Sequence, residues 1–214
     1  MADERETAKA LLREHGQTYA DELGIDIAKN TPSPLFELLC AATLMSARIG
    51  AGIATEAARS LQARGWRSPD AMASSTWDER VEALNEAGYA RYQERTATML
   101  GDLAEHLNAR WKGDLRRLRD EADRDPAAER KLLKEFKGIG DVGVDIFFRE
   151  VQVAWDELVP FADRRARDAA GRLKLPKDPE KLAALVSKAE FPRLVAALVR
   201  TELDDDYDTI REAA

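Results

Sequence analysis

Nearly every segment of this 214-residue chain spaces its apolar side chains at helical intervals, and no period-two stretch stands between turn residues. A chain patterned in this way can bury itself only helix against helix, so an all-α fold is expected. Leu35, Leu38, Leu39, Ala42 and Met45 show the pattern: they share one face over residues 34–47, and Ser33 before Pro34 suits a helix start. Further helices are expected at about 8–23, 52–64, 68–73, 77–87, 92–108, 114–123, 127–136, 142–153, 163–173, 179–189 and 191–203. Breaks fall at Gly65-Trp66, Gly88, Lys112-Gly113, Asp125-Pro126, Gly138 to Gly140 and Pro176. No internal repeat is evident.

Composition sets outer limits. With 44% hydrophobic residues the chain can bury one substantial core or two small lobes. No run approaches the roughly 20 apolar residues that span a bilayer. The start, Met1-Ala2-Asp3-Glu4-Arg5-Glu6, lacks the apolar segment of a secretion signal, so a cytoplasmic protein with no membrane contact is expected. Cys40 is the only cysteine, and with His15 and His106 it makes no convincing ligand set, so neither a metal nor another cofactor is expected. A formal charge of -7 argues against binding nucleic acid through bulk electrostatics, though not against a local site. From Leu158 to Pro176 five basic residues (Arg164, Arg165, Arg167, Arg172, Lys174) stand against two acidic ones (Asp163, Asp168), a net +3. The acidic excess lies elsewhere, notably over Glu202 to Asp208.

The segment from Leu133 to Phe148 reads as a helix, a tight turn on Gly138-Ile139-Gly140, and a second helix, with Asp163 placed where the next helix begins. Glycine can take positive φ and let the backbone approach another surface closely. The helix that follows presents unpaired amides and the positive end of its dipole. Such a turn can hold a phosphate.

This pattern resembles the helix-hairpin-helix DNA glycosylase superfamily that includes endonuclease III. The resemblance extends to Pro34 through Arg48, Gly65-Trp66, Ser68 through Met72 and Gly88 through Tyr92, in the family's order and approximate spacing, and covers roughly residues 31–176. It implies a two-lobed helical fold, with a central bundle at about 31–156 that carries the hairpin at about 127–148. Residues 1–30 and 157–214 would form the companion lobe. The implied partner is double-stranded DNA containing a base lesion or mispair, bound by a monomer.

The resemblance also assigns roles. Lys137, Gly138, Ile139, Gly140, Val142 and Gly143 would hold the DNA backbone; apart from the resemblance, the basic excess after the hairpin makes Arg164 and Arg165 expected DNA contacts. Arg48 would fill the gap left by a flipped nucleotide, and Tyr89 and Tyr92 would shape the base pocket. Asp163 would serve the chemistry. Breaking an N-glycosidic bond develops positive charge on the sugar, which a fixed carboxylate stabilises while orienting water. Aspartate there also suits a cap for the helix entered through Arg164.

Departures narrow the reading. Members that also cut the strand have a lysine where this chain has Val142, and relatives of endonuclease III carry four cluster cysteines near the C-terminus. A monofunctional glycosylase of base-excision repair is therefore expected. Asp141 and Asp145 would repel a facing phosphate, and Lys137 replaces a usual proline. A non-catalytic DNA-binding or scaffold protein, and a glycosylase with lyase activity through another lysine, stay open.

Overall fold

Short polar side chains next to proline decide where many of these helices start. The computed structural model of the protein describes residues 2–214. Its helices are α1 (Ala2–His15), α2 (Tyr19–Glu22), α3 (Pro32–Met45), α4 (Ala51–Ala63), α5 (Pro69–Ala73), α6 (Trp77–Glu86) and α7 (Gln93–Trp111), followed by α8 (Leu115–Glu121), α9 (Pro126–Leu133), α10 (Asp141–Val151), α11 (Arg164–Arg172), α12 (Pro179–Ala183), α13 (Phe191–Asp204) and α14 (Tyr207–Ala213). Among the described residues there is no strand, so the fold is all-α. Ser68, Asp125 and Asp178 each accept a first-turn amide with their side chain while proline fills the next position. Thr76 and Glu79 cap each other reciprocally at the start of α6.

Several boundaries differ from the periodicity, the first helix already beginning at Ala2. The cap of α3 is Thr31, because Pro32 can itself occupy a first-turn position; Ser33 lies inside the turn and donates to the Arg67 carbonyl at 2.8 Å. The helix expected over 8–23 breaks after His15, where Arg193 and Arg200 donate to the carbonyls of Gly16 (2.7 Å) and Gln17 (2.9 Å) that a continuous helix would have used. The helix from Pro179 ends at Ala183, because Ser187 and Glu190 bond to each other and build the start of α13. Helix α14, hidden by its acidic surroundings, is held by buried Tyr207 and Ile210.

The chain divides into two compact units, Leu23–Phe147 and Phe148–Ala214 together with the N-terminal residues up to Glu22, so the division falls within α10. In the first, α3 packs on α4, and α7 packs on α5 and α6, around Leu35, Phe36, Leu39, Leu100 and Leu107. Arg80 is buried there and donates to the carbonyls of Ala97 (2.9 Å) and Ser75 (2.7 Å). Gly101 leaves room for that guanidinium, since a Cβ would stand 2.7 Å from its Nη2. In the second unit α1 and α11 pack on α13 and α14 packs on α1, with Ala8, Ala166, Ala169, Ala170 and Ala197 letting the helices approach closely. No helix among the described residues is long and apolar enough to cross a membrane.

Within this second unit a buried carboxylate closes the α2 turn. Glu150 accepts the amides of Tyr19 (3.3 Å) and Ala20 (2.9 Å), and burial pushes its pKa above the ordinary 4.5. The folded state therefore holds the proton more tightly than the unfolded chain, and stability from this group is lost as pH rises from about 4.5 through the raised value. Urea midpoints measured against pH should fall more steeply across that window for the natural protein than for Glu150→Gln. Parallel curves would assign the dependence to other groups.

Candidate functional site

The turn between α9 and α10 is pinned at both ends by apolar side chains. Phe136 is 1% exposed, and its ring lies 5.1 Å from His106 and 5.5 Å from Trp111, edge-on to the first and tilted on the second. Ile139 is likewise buried, and its amide closes the turn onto the Phe136 carbonyl at 3.0 Å. Lys137 and Gly138 are thereby lifted to the surface. Gly138 has φ 95°, a backbone conformation that favours glycine, while the end of the flexible Met99 side chain fills the space a Cβ would take.

Past the turn, Val144 is the first α10 residue whose amide reaches back to a carbonyl, that of Gly140 at 3.0 Å. Among the described residues the amides of Asp141, Val142 and Gly143 have no backbone partner and form the positive end of the helix dipole. Gly140 and Val142 are exposed. Gly143 and Ile139 are buried, unlike Lys137, Gly138, Gly140 and Val142. Gly143 is buried, and a Cβ there would meet Ile139 at 3.3 Å and Ser46 at 3.7 Å, so its small size serves the packing of α10. The Ile139 amide is used inside the turn and its side chain in the core.

Electrostatically the turn is nearly self-neutralised. Lys134 pairs with Asp141 (2.9 Å), Arg130 with Asp145 (2.6 Å), and Lys137 with Asp102 (2.9 Å). Lys134 bonded to Asp141 holds that carboxyl below the usual carboxylate range. Arg48, by contrast, is exposed and carries no hydrogen bond or ion pair among the described residues. It sits in the short segment between α3 and α4 whose Ser46 lies beside Gly143, so packing brings that segment to the start of α10.

Tyr89 is not a pocket wall. It is fully buried, and its hydroxyl donates to the Leu44 carbonyl at 2.9 Å, which makes it part of the core. Tyr92 is half-buried, with the Arg91 guanidinium 5.3 Å from its ring centre.

Asp163 lies in the other unit, at the cap of α11, and is 8% exposed. Its Oδ1 accepts the Ala166 amide at 3.0 Å, and its Oδ2 accepts from Arg149 Nη1 at 2.8 Å. The backbone leading to it is tied down by Gln152, whose side-chain amide donates to the Phe161 carbonyl and accepts the Phe161 amide, both at 3.0 Å. Arg164 and Arg165 are exposed on the first turn of α11; Arg164 stands 3.5 Å from Asp168. Periodicity did not single out Arg149 or Gln152. The signal for them was a polar interruption in the apolar run from Ile146 to Val153, where Arg149, Glu150 and Gln152 are all buried. Among the described residues no group of three or more His, Cys, Asp or Glu side chains could hold a metal ion.

The arrangement is a helical fold of the endonuclease III type, offering unpaired amides at the start of one helix and a fixed carboxylate at the start of another. The likeness is to a solved structure of a trapped endonuclease III–DNA covalent intermediate, an estranged-adenine complex, with a TM-score of 0.51 and 20% identity over 78% of this chain and 73% of that one. No family model matches the chain, and no curated protein matches it.

Proposed function

We propose that this protein is a monofunctional DNA glycosylase of base-excision repair, hydrolysing the N-glycosidic bond of a damaged or mispaired base flipped out of duplex DNA. The observation that carries the reading is the Asp163 carboxylate, fixed at the start of α11 within a fold like that of endonuclease III. In this reading the free amides of Asp141, Val142 and Gly143 at the start of α10 grip a backbone phosphate, with the exposed Lys137, Gly138 and Gly140 beside them. The free Arg48 fills the gap left by the everted nucleotide and bonds its orphaned partner base. Exposed Arg164 and Arg165 add DNA contacts, and half-buried Tyr92 lines the base pocket.

Val142 supports the monofunctional form. It is 58% exposed at the position where a lyase needs an amine, and a valine cannot form a Schiff base. Nearby Lys134 and Lys137 are each engaged by an aspartate. The reading is tested with a panel of duplexes, each bearing one altered or mispaired base. Excision should leave an abasic site cut only on later treatment with alkali, and borohydride should trap no covalent adduct. Binding without excision across the panel would instead favour a non-catalytic DNA-binding protein.

The paired cations at the turn favour weak backbone binding. Asp141 occupies Lys134 and adds negative charge where a phosphate would approach. Asp141→Asn should tighten duplex binding by about tenfold at low salt, with the gain shrinking as salt rises. Titrations of a fluorescent duplex at several salt concentrations measure this; equal affinities for variant and natural protein would place the phosphate elsewhere.

A further inference from the structure

We propose that Arg149 is the positioning residue for Asp163, an inference that rests on the glycosylase reading. A cap bond alone holds one carboxylate oxygen and leaves the other free to turn. Here Ala166 takes Oδ1 and Arg149 takes Oδ2, so the group is held at two points. Gln152 meanwhile pins the backbone at Phe161, two residues upstream. Arg149 is 5% exposed and Asp163 is 8% exposed, so each is the other's polar partner where little water reaches. Each carboxylate oxygen can accept a second bond, which leaves capacity for a water or for the sugar face.

Stability alone does not account for this pair. A buried ion pair is often replaced by apolar residues with no loss of stability, whereas this one also leaves Arg149 Nε buried with no hydrogen-bond partner among the described residues. A side chain kept at that cost is one whose geometry serves something else. A guanidinium at this distance fixes the direction of the carboxylate and sets a positive charge beside it, and small errors of placement are expensive in rate.

The test measures single-turnover excision, duplex affinity and thermal melting for the natural protein and for Arg149→Lys, Arg149→Gln and Arg149→Met. Arg149→Met and Arg149→Gln should lose about a hundredfold in excision rate with duplex affinity within about twofold, and Arg149→Lys should recover most of the rate. If Arg149→Met fails to fold, Arg149→Gln and Arg149→Lys decide, because each keeps a donor towards Asp163. An active natural protein with equally active Arg149 variants overturns this proposal alone. So does a loss that lysine does not rescue, or one that falls on affinity and rate together. A natural protein that binds duplexes yet excises nothing overturns the glycosylase reading, and the positioning role with it.

Discussion

Asp163→Asn is expected to lower base excision by about a thousandfold while leaving the protein folded. The size follows from the step itself: asparagine can still accept a bond from the attacking water, so the loss is the carboxylate's stabilisation of developing positive charge, worth on the order of two to three decades in rate. Asparagine is as good a helix cap as aspartate, so the bond from the Ala166 amide to the side-chain oxygen survives. The amide is neutral, however, and the Arg149 guanidinium loses its anion. Single-turnover excision on the best duplex of the panel, read beside a thermal melt, separates the two effects. A variant that folds and excises at the natural rate would remove Asp163 from the chemistry.

Phe136→Ala should cost about 3–5 kcal/mol of stability, among the largest effects of a single truncation in this chain. The ring is 1% exposed and packs against His106 and Trp111, so its loss leaves a cavity that neighbours on α7 cannot fill without moving. The same ring anchors the residue whose carbonyl closes the turn onto Ile139, so duplex affinity should fall along with the urea midpoint. Phe136→Leu, closer in volume, should lose much less of both. If Phe136→Ala matched the leucine variant in stability, the aromatic cluster would not be what holds the turn.

The helices were legible because their causes are local. Apolar spacing marks each buried face, and Ser68, Asp125 and Asp178 announce starts with their own side chains. The glycine turn was legible for the same reason: Gly138 stands at φ 95°, which strongly favours glycine. Asp163 as a cap is likewise visible from residue type and position. Where non-local bonds compete, local signals fail. The break after His15 is held by arginines of α13, far along the chain, and α14 is held by Tyr207 and Ile210 despite the acidic run before it.

The sequence by itself determined that the chain is all-helical, that a tight glycine turn joins α9 to α10, and that an aspartate opens α11, because period, φ and capping are properties of neighbouring residues. Only the tertiary structure decided that Tyr89 is core, that Gly143 packs against Ser46, that the turn's lysines are neutralised, and that Arg149 grips Asp163. Those facts depend on which helices lie side by side. A partner 14 or 35 residues away is chosen by packing, not by spacing along the chain.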